Sequence, residues 1–441
     1  MKSGHTTKSL IAVVAIFCVA LANAAGLNDD EQRMVDWIDA NYESAIDLLE
    51  ETVNIGSGTM NPQGVRDVGK VMGREFDALG LETEWIEMPE GMGRAGHLFA
   101  RKLHNKGPNI LLIGHLDTVF EADDGFQSYT RKGDAAYGPG VEDMKSGNVV
   151  IVYALKALKE IGALEDMSIV VAYTGDEENA GSPLTVSRRD LIEAGKWADI
   201  SLGFESGVSY GGQDWATIAR RSSSNWYLEV SGTQAHSSKI FNNEVGHGAI
   251  FEAARILNEF DNKVRGEEYL TFNAGTIQGG TDVSYEFEQT RGTTFGKTNI
   301  VPRKVIVHGD IRTISNEQLE RTRSAMREVV ADHLPGTDAT IKFEDRYPSM
   351  APTDGNKRLQ AVLSDVNEDL GRGPMPTLDP LKRGAADVSF VAPYSDSLAG
   401  MGAVGDGGHT PDESLDLTTM APAIQRAAIL IYRLANEESA D

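Results

Sequence analysis

Asn109 to Gly114 is a short, largely apolar run that ends at His115, and Ser168 to Tyr173 and Ile200 to Phe204 repeat its texture further along the chain. Between the first two runs, Ser146 to Ile161 carries apolar residues at helical spacing. Short apolar runs of this kind read as strands buried on both faces, and strand, helix, strand in succession builds a right-handed parallel unit. The pattern predicts an α/β chain with a three-layer, mainly parallel-sheet domain. Open sheets of that type place their chemistry beyond the carboxyl ends of the strands. His115, Asp117, Asp143, Glu177, Glu178 and Glu205 all fall at strand ends or in the loops that follow.

Ahead of this unit, Asp29 to Thr52 has helical spacing, and a second helix is expected over Val65 to Leu79, before Gly80. Around Ala216 the texture changes. Asn225 to Ser231 alternates like a half-exposed strand, Val245 to Phe260 and Asn316 to His333 read as helices, and Tyr269 to Ile277 and Lys304 to Ile311 as strands. These pieces predict a smaller α+β domain inserted into the first. Asp282 to Lys297, polar and rich in Gly and Thr, reads as a long hairpin or an excursion of that insert. The expected division is a catalytic domain over 25–215 and 348–441 with the insert at 216–347, closing on the amphipathic helix Met420 to Asn436.

Lys2 and Lys8 precede an apolar stretch, Leu10 to Leu21, too short to span a bilayer comfortably, and Ala22 and Ala24 then stand in a small-x-small arrangement. Residues 1–24 are therefore expected to be a signal peptide and the mature chain to be periplasmic or secreted, with no membrane association after cleavage. Cys18, the only cysteine, lies inside that stretch, so disulfide and thiolate chemistry are excluded from the mature chain. Roughly 417 residues remain, more than one core usually organises. The formal charge of −25 becomes more negative once Lys2 and Lys8 are removed, which argues against a nucleic-acid partner.

Three segments concentrate chemistry. Gly114-His115-Leu116-Asp117-Thr118 places an imidazole and a carboxylate two apart after a buried strand, where period-two geometry can point both to one side. Gly138 to Gly147 carries Asp143 through a glycine-rich turn to a helix, where a carboxylate can bridge two cations or serve as an N-cap. Asp176, Glu177 and Glu178 follow an apolar strand, and like charges so close repel unless a cation or shared proton separates their roles. Glu205 closes another strand, and His409 lies in Gly407 to Glu413 near the last helix. A donor set of His, Asp and Glu without sulfur suits Zn²⁺ and admits Co²⁺ or Mn²⁺. Two such ions can activate one water against a carbonyl.

Together these residues resemble the M20 family of metallopeptidases, in particular its glutamate carboxypeptidase and N-acyl amino acid hydrolase branch, over nearly the whole mature chain. The resemblance rests on GHLDT (114–118), GPGVEDMKSG (138–147), GDEE (175–178), FES (204–206), AHS (235–237), NIVP (299–302), DIR (310–312) and GGHTPDE (407–413). It implies two Zn²⁺ per chain bridged by Asp143, with His115 and Glu205 completing one and Glu178 and His409 the other. It implies Glu177 as general base and Asp117 as the residue that orients His115. His236 is implied as an oxyanion donor that reaches a neighbouring subunit's site in a homodimer. Arg312, with Asn299 and Arg346, is implied to hold the substrate's carboxylate end. The implied substrate is a small peptide or N-acyl amino acid, cleaved at the amide bond, with a dipeptidase or aminoacylase of different acyl preference as the alternative. Gly384-Ala385-Ala386-Asp387 departs from the Gly-Thr-Asp run of many relatives, which leaves substrate identity open. A two-lobed periplasmic binding protein is the non-enzyme alternative.

Overall fold

The computed structural model describes residues 26–437 except 105, 287, 288 and 290. The expected signal peptide, with Cys18, lies outside the described residues, as do the last four. Asn28 and Glu31 form a reciprocal cap that opens helix Asp29–Ala40. The helical spacing that runs on to Thr52 breaks at Asn41, whose backbone N–H turns back to the Trp37 and Ile38 carbonyls, so two helices stand there, Asp29–Ala40 and Tyr42–Val53.

The central sheet has six strands in the order Glu82–Ile86, His97–Lys102, Ser168–Thr174, Asn109–His115, Ile200–Gly203 and Asp396–Leu398. The last four pair in parallel, whereas the first two pair antiparallel with each other and the second pairs antiparallel with the Ser168 strand. The sheet is thus mixed, parallel in the half that carries the chemistry. Its antiparallel edge follows from the connection Glu87 to Gly96, which is shorter than the dozen or so residues a parallel crossover requires.

Alternation along the central strands feeds two different cores. Ile110, Leu112, Ile169 and Val171 pack with the buried helix Ser146–Glu160 and the last helix, Met420–Ala435, on one face. Leu111, Ile113, Val170 and Ala172 pack on the other with Leu191, Val388 and Val391. This two-sided burial is why the strands read as unbroken apolar runs.

A second sheet, antiparallel, runs in the order Thr271–Gly280, Lys304–Arg312, Ser223–Gly232, Thr337–Tyr347. Helices Gly248–Lys263 and Asn316–Ala331 cover one face and share a separate core built on Trp226, Leu228, Val307, Phe260 and Met326. Asp282–Glu286 and Arg291–Phe295 pair antiparallel, the hairpin of the two alternatives open for this segment. The molecule is therefore an α/β catalytic domain with a smaller accessory domain.

A third, short sheet brings distant loops together. Gly405–Asp406, Ser414–Asp416, Ala135–Tyr137 and Thr130–Lys132 pair in that order, all antiparallel. The loop with His409 and the turn before Asp143 leave this sheet side by side. Gly140 makes that turn possible: its φ of +72° is costly for other residues, and a Cβ there would meet the Thr118 side chain at 2.5 Å. Among the described residues no helix is long and apolar enough to cross a membrane.

Candidate metal centre

His115, 2 % exposed, stands at the end of its strand with Nε2 3.1 Å from Asp143 Oδ1. Asp143 occupies a non-helical position, φ −114° and ψ 93°, in the turn Val141–Lys145 that leads into the buried helix Ser146–Glu160. From the other side, His409 Nε2 lies 3.3 Å from Asp143 Oδ2 and 3.2 Å from Glu178 Oε2. Each oxygen of Asp143 therefore faces a different imidazole. Potential ligand atoms of His115, Glu177 and Glu178 lie within 4.8 Å of one another, as do those of Asp143, Glu178 and His409. The two groups share Glu178, whose Oε1 is buried without a hydrogen-bond partner among the described residues.

The charges of this cluster shift one another. Burial would raise the Asp143 carboxyl, but hydrogen bonds from His115 and His409 overcome it and hold the group well below the usual carboxylate range. His409 is pushed up to about 11 by its bonds to Asp143 and Glu178. His115 is raised despite burial, through Asp117 and Asp143. Burial pushes Glu178 up to about 7 and lifts Glu177 well above the ordinary range, where Glu205, Asp387 and Glu178 add to the effect. A site that draws positive charge onto two imidazoles is one that favours cations.

The three consecutive acids have three different surroundings. Asp176 is fully buried and points away from the cluster, accepting from Arg188 Nη1 at 2.5 Å, Ser187 Oγ at 2.7 Å and the Gly181 N–H at 2.7 Å. Arg188, also fully buried, bonds Asp387 at 2.7 Å and the Tyr347 hydroxyl at 2.8 Å, and that hydroxyl donates to the Glu177 carbonyl at 2.7 Å. A buried guanidinium needs this full set of partners, and removing one side of such a pair costs about 3–5 kcal/mol. The network fixes the backbone of Glu177 from behind.

Asp117 supports the same loop from the front. Its carboxylate accepts from the Glu177 and Glu178 N–H groups at 3.0 and 3.1 Å and from Thr59 Oγ1 at 2.6 Å. His115 Nδ1 is instead 3.0 Å from the Asp117 backbone carbonyl, with the carboxylate at 3.5 Å. The orientation of His115 expected from the Asp117 side chain thus comes chiefly from its main chain.

Glu205 is not in either ligand group. Its Oε2 lies 2.5 Å from Arg220 Nη2 and 3.8 Å from Arg383 Nη2, because these largely buried guanidinium groups require a counter-charge. It still borders His115 across a cavity of about 10 Å³ that Arg220 and Asp387 also line. On the smaller domain, His236 and Asn299 are exposed, and their segments are strapped by Ser237 N–H to the Asn299 carbonyl at 2.9 Å and Val301 N–H to the Ala235 carbonyl at 2.8 Å. Arg312 pairs with Asp310 at 3.1 Å. No hydrogen bond or ion pair joins these three to the histidine and carboxylate cluster among the described residues. Arg346, also exposed, lines a cleft of about 750 Å³ with Leu184, Arg323 and Phe390, and no residue of the cluster borders that cleft. The strand Thr337–Tyr347 carries it there rather than to the cluster.

Gly207-Val208-Ser209-Tyr210-Gly211 has the G-x-S-x-G spacing of a serine-nucleophile turn. Ser209 is nevertheless exposed within strand Val208–Tyr210 of a short hairpin and donates to the Gln213 carbonyl at 3.3 Å. The strand-turn-helix setting of such a nucleophile is not what surrounds it.

Residues 111–433 match the sequence model of peptidase family M20/M25/M40. Carboxypeptidase G2 of Pseudomonas sp. (strain RS-16) is 26 % identical over 96 % of this chain and 97 % of its own. Succinyl-diaminopimelate desuccinylase of Gluconobacter oxydans is 27 % identical over 78 % of this chain and 86 % of its own. Among solved structures, aminopeptidase PepT of Bacillus cereus is similar in fold with a TM-score of 0.72 at 20 % identity, over 90 % of this chain and 99 % of that one. An M20 metallo-carboxypeptidase of Sulfolobus solfataricus is similar with a TM-score of 0.63 at 15 % identity, over 89 % and 99 %.

Proposed function

The chain belongs to peptidase family M20/M25/M40, and from that premise we propose that it is a secreted or periplasmic di-zinc hydrolase that cleaves the amide bond next to a C-terminal or N-acylated amino acid. The observation that carries this reading is Asp143, which turns one oxygen to His115 and the other to His409. The donors are nitrogen and oxygen, arranged in two overlapping groups, with a buried Glu178 oxygen left over, and this set fits Zn²⁺ or its substitutes Co²⁺ and Mn²⁺. Asp143 would be shared between two ions, His115 and Glu205 would complete one site, and Glu178 and His409 the other, with Glu205 exchanging Arg220 for the ion. When bound, such a pair supplies Lewis acidity to a water and to the scissile carbonyl.

Glu177 is the proton carrier. Its backbone is held from both sides by Asp117 and Tyr347, and its raised proton affinity suits a group that takes a proton from water and returns it to the leaving nitrogen. The C–N bond breaks as the carboxylate product and the amine form. Arg312 and Asn299 are proposed to hold the α-carboxylate end of the substrate, where a guanidinium fork would pair with it bidentately. His236 is proposed to stabilise the oxyanion from a second copy of the chain, with the domain at 216–347 acting as lid and dimerisation module. The substrate class is that of small peptides and N-acyl amino acids, in keeping with the names of the carboxypeptidase and the desuccinylase relatives. A hydrolysis screen of N-acyl amino acids and dipeptides, run with zinc, cobalt or manganese, tests it. Metal-dependent release of a free amino acid is expected, and inertness of the metal-loaded chain toward every compound with an amide next to a free carboxylate would overturn it.

A further inference from the structure

The proposed chemistry gives no task to Glu413, which is 1 % exposed and closes the same loop as His409. Its Oε2 accepts from the Gly140 N–H at 3.0 Å, and its Oε1 accepts from the Glu142 and Asp143 N–H groups at 2.8 and 3.0 Å. These three donors belong to the turn ahead of helix Ser146–Glu160, where the non-helical backbone of Asp143 leaves N–H groups without regular helical acceptors. Buried N–H groups must find partners, and one carboxylate from 270 residues away supplies them.

We infer that Glu413 is a positioning residue for the metal pair, fixing the backbone of Asp143 at a set distance from His409; the inference rests on the metal reading above. The short sheet brings the two loops together only as far as Ser414 opposite Tyr137. Beyond that pair the His409 loop is braced by bonds within itself, from the Thr410 N–H to the Gly407 carbonyl and from the Glu413 N–H to the Thr410 carbonyl, both 3.0 Å. His409 is 58 % exposed in its side chain and has a φ of +63°, so its place depends on how the loop is anchored. Glu413 is the anchor that ends on the backbone of the residue His409 faces. Partners that hold a metal ligand in place typically contribute 10- to 100-fold to metal affinity.

Zinc affinity of the metal-stripped full chain, measured by competition with a chromogenic chelator, tests this in the wild type, Glu413→Ala and Glu413→Gln. Circular dichroism establishes that each is folded at the temperature used. Glutamine keeps the length and one acceptor oxygen for Glu142 and Asp143 but turns an amide donor toward the Gly140 N–H. The expected result is zinc binding about 10- to 100-fold weaker in Glu413→Ala, with Glu413→Gln in between, several-fold weaker than wild type because the Gly140 N–H has lost its acceptor. A Glu413→Ala chain that melts lower yet binds zinc as tightly as the wild type overturns the inference and leaves Glu413 a residue of the fold alone. If Glu413→Ala does not fold, Glu413→Gln decides: zinc binding several-fold weaker than wild type supports the inference, and equal affinity overturns it. A wild-type chain that takes up no zinc overturns the underlying metal reading instead.

Discussion

The loops at the carboxyl ends of the central strands and the residues proposed to meet the substrate on the smaller domain are built in opposite ways. Asp143, Glu177 and Glu178 have their backbone N–H groups bound to the buried carboxylates of Glu413 and Asp117, and a buried arginine network stands behind Glu177. His236 and Asn299 are exposed, and Arg312 pairs with its neighbour Asp310. A metal centre has to be held within a fraction of an ångström of its working geometry, whereas groups that grip a substrate can be delivered by closure or by a second subunit. On the proposed function, the difference separates a preassembled reaction centre from a substrate-gripping surface completed later.

Four substitutions sharpen or break that contrast. Glu177→Ala should keep both metals and lose about 10²- to 10⁴-fold in kcat, the range for removing a proton-transfer group. Near-normal turnover, or lost metal, would take Glu177 out of that role. His236→Ala should lower kcat by about 10²-fold with metal content unchanged, as for loss of an oxyanion donor. Sedimentation finding the active wild type as a monomer would contradict delivery from a second copy.

Arg312→Ala should cost about tenfold in kcat/KM, the equivalent of one charged hydrogen bond, and mainly through KM on substrates with a free α-carboxylate. Equal losses on carboxylate-free analogues would argue against a clamp. Tyr347→Phe removes only the hydroxyl behind Glu177 and should reduce kcat by about three- to tenfold with KM and metal content unchanged. A shift confined to thermal stability would show that the arginine network serves the fold and not the proton carrier.

How much of this the sequence displays depends on whether a residue's partner is local. His115, Asp143 and Glu178 are legible because each follows an apolar run or a glycine turn that foretells a strand end. The parallel half of the central sheet is legible for the same reason, since Ile110 to Ile113 are buried on both faces. Arg188 and Asp387 are 199 residues apart, and each alone resembles a surface charge. Glu413 meets Asp143 across 270 residues, and the ion pair that Glu205 makes with Arg220 joins two strand and loop segments whose meeting no local pattern displays. The strand Thr337–Tyr347 escapes sequence reading because it is an edge strand, with Lys342, Glu344, Asp345 and Arg346 exposed. Ser209 shows the converse, a matching pentapeptide in the wrong setting.

The central claim is that one carboxylate, Asp143, joins two metal sites. Elemental analysis of the purified chain gives the metal-to-protein ratio directly, in the wild type and in Asp143→Ala. Two ions per chain in the wild type and fewer than one in a folded Asp143→Ala variant are expected; two ions retained in the variant would contradict the account.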